Sequence, residues 1–262
     1  GARARRISEP VLQIVSRMDE PPVVCRELSD LADYHQPLAP GALCKAAILC
    51  AKVLDSQSHH SLKDQFKYLG GGLEIQTWSN LPTGSGLGTS SILAGAVFTV
   101  IGKAFGFQYT QESLFHAILH LEQMLTTGGG WQDQVGGLLP GIKSAYSNAK
   151  FPLTVAARTL DLSETFLERF NRHLLLIYTG RTRLARNLLQ DVIRRWYARI
   201  PEMVNVVYRL TENARNMEKA LQNGDLEQVG HYLDNYWDQK KQIASGAEPH
   251  HVTQMLQTLR PH

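Results

Sequence analysis

Leu81-Pro82-Thr83-Gly84-Ser85-Gly86-Leu87-Gly88-Thr89-Ser90-Ser91 is the stretch on which the reading of this chain turns. Gly84, Gly86 and Gly88 stand at alternate positions, where the backbone can turn tightly and approach a ligand with no Cβ in the way. Three hydroxyls follow at Thr89, Ser90 and Ser91, and then an apolar run from Ile92 to Phe98. That order predicts a loop feeding the N-terminus of a helix, where open N–H groups and the helix dipole favour an anion, phosphate above all. It is not a Walker A loop, because no Lys-Ser or Lys-Thr follows the last glycine. Nor is it the dinucleotide fingerprint, since Thr89 stands where a glycine or alanine is needed. Taken alone, the loop also reads as an ordinary strand-to-helix turn with capping hydroxyls.

Working outward, Leu73 to Trp78 alternates apolar and polar residues and predicts a half-buried strand entered through Gly70-Gly71-Gly72. Gly41 to Ser56 predicts a helix preceded by a turn at Pro37 to Pro40, and Ser90 to Ala104 and Gln111 to Leu125 predict two more. Beyond about residue 150 the spacing predicts a strand at His173 to Tyr178. Helices over Leu184–Arg199, Glu202–Gln222 and Leu226–Ile243 follow it. There is no internal repeat. The order argues α+β in two lobes, 1–150 and 151–262.

In the helix Gln111 to Leu125, Phe115, Ile118, Glu122 and Leu125 share one face. A carboxylate on an apolar stripe is costly unless paired, hydrogen-bonded or metal-bound, so Glu122 reads either as part of a site or as a helix-edge residue. Asp133 sits within Gly128-Gly129-Gly130-Trp131-Gln132-Asp133-Gln134-Val135-Gly136-Gly137, where flanking glycines permit a substrate to come close. It can orient a hydroxyl or accept its proton; capping a helix is the plainer role. Trp131 reads as a sugar-stacking face or a core anchor. Arg181 and Arg183 follow the expected strand and read as phosphate-facing or as solvated loop arginines. His116 and His120 are spaced i, i+4, but no third ligand lies near them in sequence, and zinc is not expected.

The segment Pro82 to Ser91 resembles the second motif of the GHMP kinases position by position. Gly-Gly-Gly-Trp-Gln-Asp-Gln, ending at Gln134, resembles the fucokinase and heptose-kinase branch, as does Tyr178-Thr179-Gly180-Arg181-Thr182-Arg183-Leu184-Ala185-Arg186-Asn187. The similarity runs from roughly residue 26 onward and is closest to the L-fucose kinase branch as it occurs in animals. It implies a ribosomal protein S5 domain 2-like first lobe and a ferredoxin-like second lobe, with ligands held between them. It also implies transfer of the γ-phosphoryl of ATP to the anomeric hydroxyl of L-fucose, giving β-L-fucose 1-phosphate for GDP-fucose salvage. Residues Pro82, Gly84, Ser85, Gly86, Leu87, Gly88, Thr89, Ser90 and Ser91 would hold the phosphates, and Ser90 and Glu122 would hold Mg²⁺. Asp133 would act on the attacking hydroxyl, and Gly129, Gly130, Trp131 and Asp133 would shape the sugar site. The family's opening motif and its late glycine-rich motif have no counterpart here. The expectation is therefore a kinase domain truncated at both ends, with terminal strands missing and sheet edges exposed. Other sugar 1-kinases and a non-catalytic nucleotide binder are the alternatives.

Composition sets outer bounds. The chain has 262 residues, 43% hydrophobic and 19% charged, as expected for a globular protein long enough for a substantial core. No apolar run approaches the ~20 residues of a membrane span, and Gly1 to Arg17 predicts no secretory leader. Three unclustered cysteines suit a reducing compartment, hence the cytoplasm. The net charge of +3 is scattered, without the basic stripe and aromatic platforms that nucleic acids require.

Overall fold

A computed structural model describes residues 1–16, 20–36, 38–81, 85–125, 129–180, 186–244 and 246–259. The chain forms two compact units, Gly1–Ala157 and Arg158–His262.

The first unit is built on a four-stranded sheet. Its strands are β1 (Ala2–Ile7), β2 (Leu12–Val15), β3 (Val23–Cys25) and β4 (Gly72–Thr77), in the order β1-β4-β2-β3. β4 runs antiparallel to β1 and parallel to β2, while β3 pairs antiparallel with β2. The parallel β2–β4 pair needs a long crossover. A 3₁₀ helix at Leu28–His35 and helices α1 (Ala42–Cys50) and α2 (Leu62–Tyr68) supply it. Residues Leu12, Ile14, Leu73 and Ile75 project from the two central strands into a core with Ile48, Phe66, Phe98, Ile101, Ile118 and Leu121. Each such side chain contributes about 1.5–3 kcal/mol when fully buried.

β1 is an edge strand whose Arg3 and Arg5 face solvent. Arg5 pairs across the ladder with Glu74, Nε to Oε1 at 2.7 Å, so the edge carries charge. Arg6 lies over the Phe105 ring, 4.5 Å from its centroid, and donates to the carbonyls of Leu69 and Gly71. Gly72 is required sterically: a Cβ there would stand 2.1 Å from the Glu9 carbonyl oxygen and 2.4 Å from that of Val11. Backbone cannot retreat as a flexible side chain can. Gly72→Ala is therefore expected to cost about 2 kcal/mol or more, read as a fall in the urea midpoint; an unchanged midpoint would contradict the close approach.

Helices α3 (Thr89–Phe105), α4 (Gln111–Met124) and α5 (Gln132–Leu138) follow β4. α3 packs on β1 and β4 and against α1, α4 and α5. Its buried residues, Ser91, Ala94, Gly95, Val97, Phe98, Ile101 and Gly102, recur at helical spacing. Strands β5 (Lys143–Ser147) and β6 (Val155–Thr159) form a separate pair. Leu153, Val155 and Ala157 pack with Phe115, Val135 and Trp131, which is why the first compact unit reaches Ala157.

Among its described residues the second unit is helical beyond the end of β6. It contains α6 (Glu164–His173), α7 (Arg186–Tyr197), α8 (Pro201–Gln222), α9 (Leu226–Ile243) and α10 (His250–Leu259). α8 and α9 form an antiparallel hairpin with Met203, Val206, Ile243 and Ala244 at its core. Asn213 donates to the Tyr232 carbonyl at 2.9 Å, which satisfies a buried amide between the two helices.

Three expectations change. The helix foreseen over Gly41–Ser56 ends at Cys50, with Ala51 as C-cap and Lys52 at φ 55°. The N-terminal strands β1 to β3 had not been foreseen. The strand foreseen at His173–Tyr178 is absent: His173 closes α6, and Leu174 to Tyr178 lie outside regular structure, 42–76% exposed. Apolar residues on both faces of that run specify a strand only where neighbours cover it, and no such neighbours occur among the described residues.

Candidate active site

β4 delivers the chain to the glycine loop, and α3 begins at the loop's end. Gly86 and Gly88 adopt the left-handed conformation, at φ 78° and 65°, which a residue with a Cβ rarely accepts. Gly88 is the N-cap of α3. No side chain caps the helix and no acidic residue lies in its first turn, so its leading N–H groups remain available to an anion. The Ser85 hydroxyl is buried and has no hydrogen-bond partner among the described residues. Pro82 and Gly84 lie outside the described residues, as do Thr127, Gly128, Arg181 and Arg183.

Two pairs of small and large residues set α5 close against α3. A Cβ at Gly95 would stand 2.6 Å from Leu138 Cδ2, and one at Gly137 would stand 2.4 Å from Ile92 Cγ1. Each helix thus offers a glycine to the other's branched side chain. The consequence is positional: Asp133, in the first turn of α5, comes up beside the loop. A Cβ at Gly88 would lie 3.8 Å from Asp133 Cγ. Asp133 itself is exposed.

Glu122 comes from α4 on the other side and is 7% exposed. Ser91 donates its hydroxyl to Glu122 Oε1 at 2.5 Å. Burial raises the pKa of the Glu122 carboxyl; the Ser91 hydrogen bond opposes that, the nearby Asp133 charge adds to it, and the Gln134 amide opposes it. Gly129 leaves room for this carboxylate, since a Cβ there would stand 3.0 Å from Oε2. Gln123 holds the same loop by donating to the Gly129 carbonyl at 3.1 Å. Ser91→Ala would leave a buried carboxylate short of a donor, so it is expected to lower stability by about 1–3 kcal/mol. Chemical denaturation checks this, and unchanged stability would show that the bond contributes nothing.

The structure therefore brings Asp133, Glu122, Ser91, Gly88 and Gly129 together. Ser90, the hydroxyl expected with Glu122, is exposed; the one in contact is Ser91, because Ser91 and not Ser90 lies on the buried stripe of α3. Leu87 and Gly130 are exposed, and Thr89 is half-buried at the start of α3. Trp131 is half-buried and packs against the Phe115–Val135–Val155 cluster. Two carboxylates in one corner repel each other, an arrangement a cation relieves. No group of three His, Cys, Asp or Glu side chains among the described residues is arranged to hold a metal. Mg²⁺ does not require one: it commonly takes one or two carboxylates and completes its shell with water and phosphate. The donor set fits such an ion. His120 Nδ1 lies 3.6 Å from Cys50 Sγ, apart from these residues.

The start of α3, with no side-chain cap, is thus flanked by two carboxylates, one exposed and one buried. Residues 45–141 match the family described as GHMP kinases N terminal domain, and this part of the chain belongs to that family. It is 34% identical over 260 residues to an L-fucokinase/L-fucose-1-P guanylyltransferase from Bacteroides fragilis, covering 98% of this chain and 26% of that protein. It is 36% identical over 191 residues to a bifunctional fucokinase/GDP-fucose pyrophosphorylase from Arabidopsis thaliana, covering 73% of this chain and 18% of that protein. The chain thus spans about a quarter or less of the length of these relatives. Among solved structures, a D-glycero-D-manno-heptose 1-phosphate kinase from Bacteroides thetaiotaomicron aligns with TM-score 0.63 at 16% identity, over 95% of this chain and 69% of that one. L. major mevalonate kinase aligns with TM-score 0.60 at 14% identity, over 99% and 71%. These two carry the fold assignment, an α+β GHMP kinase fold. No helix among the described residues is long and apolar enough to cross a membrane.

Proposed function

We propose that this chain is the phosphoryl-transfer part of an L-fucose kinase, using MgATP and producing β-L-fucose 1-phosphate for GDP-fucose synthesis in the cytoplasm. The observation that carries the reading is the convergence of Asp133 and the Ser91–Glu122 pair on the start of α3. The fucokinase relatives direct it to L-fucose. Ser85 to Ser91, with Pro82 and Gly84, form the phosphate cradle. Glu122 and Ser90 hold Mg²⁺, and Ser91 orients Glu122. When bound, Mg²⁺ would neutralise charge on the β- and γ-phosphates. Asp133 accepts the proton of the attacking anomeric hydroxyl, its exposure leaving it within reach of substrate. Gly129 and Gly130 admit the sugar, with Trp131 setting the floor of the loop. Such chemistry depends on positioning and charge neutralisation more than on covalent participation.

A panel of sugars tests the substrate. ADP release from MgATP should be greatest with L-fucose. A heptose supporting faster release would move the acceptor to another sugar, and MgATP binding without turnover on any sugar would favour a nucleotide-binding role.

A further inference from the structure

α5, which carries Asp133, is poorly equipped to hold itself. It is seven residues long, and Gly136 and Gly137 fall inside it. Helices this short are marginal in water, and glycine lowers helix propensity more than any residue but proline. No side chain caps its start, and no basic residue lies in its last turn. Its place is set from outside. The contacts of Leu138 with Gly95 and of Ile92 with Gly137 fix it sideways against α3. Its far end is fixed by the next element. Beyond the C-cap, Leu139, the chain turns through Pro140 and Gly141, the latter at φ 71°, and Lys143 opens β5. Lys143 Nζ reaches back to donate to the Gly136 carbonyl at 2.9 Å and to the Leu139 carbonyl. The end of an α-helix leaves such carbonyls without an intrahelical partner, and a cation there also meets the negative end of the helix dipole. Burial lowers the ammonium's pKa, so the charge is kept there against a desolvation cost. One end of α5 is thus tied to β5 by Lys143, while the other brings Asp133 beside Gly88.

We propose that Lys143 is a positioning residue for Asp133: by binding the terminal carbonyls of α5 it sets how far that helix reaches toward the start of α3, and so where the Asp133 carboxylate stands. This rests on the reading of Asp133 as the base. A general base must lie within hydrogen-bond reach of the proton it takes. A misplacement of about 1 Å can cost roughly 10²-fold in rate.

The test is steady-state kinetics with MgATP and L-fucose. Turnover is referred to the MgATP-binding fraction, taken from calorimetric stoichiometry, so that unfolded protein is not counted. Lys143→Met keeps an aliphatic stem and removes the ammonium. It should lower kcat roughly 10–100-fold while MgATP affinity stays within about two-fold of wild type. Lys143→Arg, with a cation and several donors, should recover most of that loss. In an Asp133→Asn background, Lys143→Met should change the residual turnover by less than about two-fold, because a residue acting through Asp133 then has nothing left to position. A loss of the full size in that background would overturn the inference, since Lys143 would then act on another part of the site. So would a wild-type kcat in Lys143→Met, or a fall in MgATP affinity matching the fall in kcat, the mark of a general support of the fold. Asp133→Asn with wild-type turnover would overturn the base reading instead.

Discussion

Asp133→Asn should reduce L-fucose-dependent ADP release by roughly 10²–10⁴-fold, the range typical of a lost general base, while MgATP affinity stays within a few-fold. The split follows from position. Asp133 is exposed at the start of α5 and lies beside Gly88, so it borders the glycine loop without being buried in it. Asparagine preserves the volume and can still occupy the first turn of α5, but its amide oxygen is a poor proton acceptor. Steady-state kinetics beside a calorimetric MgATP titration check both halves. Turnover retained within ten-fold would remove Asp133 as base and leave it an acid in the first turn of α5, where the helix dipole favours one.

Glu122→Gln should have the second large effect, with the opposite division. It removes the buried charge nearest the α3 start, so MgATP affinity should fall by at least the roughly 10–100-fold that a lost outer-shell partner costs a metal site. ATP without cation should bind as before. Stability should move the other way. Burial holds the Glu122 carboxyl above its ordinary pKa, so the folded state binds this proton more tightly than the unfolded state does. Its contribution to stability is complete below the unfolded value and is lost as pH rises through the folded one. Glutamine carries no such charge, so cation-free Glu122→Gln should lose less stability than wild type as pH is raised across that range. Melting curves across pH with EDTA present measure it. A variant that is destabilised at neutral pH and binds MgATP normally would make Glu122 a structural residue only.

Much of this was legible in the residues. The glycine–hydroxyl–apolar order around Gly88 specified α3, and the apolar stripe of α4 put Glu122 on the core-facing side while leaving open whether it lay at the helix edge; the structure buries it. Both follow from local periodicity, which a sequence states directly. The partner of Glu122 was partly legible: Ser91 lies three, four and seven positions before Ala94, Gly95 and Phe98, on the face that is buried. β1 was hidden because its alternation is alanine against arginine, a weak strand signal that becomes a strand through pairing with β4. The run Leu174 to Tyr178 has the composition of a strand, but composition does not supply the neighbours that make one.

The most direct measurement is ³¹P–¹H correlation NMR of the product formed from MgATP and L-fucose. Phosphoryl transfer to the sugar's first carbon should give one new phosphate resonance coupled to the anomeric proton of β-L-fucose. Release of inorganic phosphate alone, or a phosphate coupled to a proton elsewhere on the ring, would contradict it.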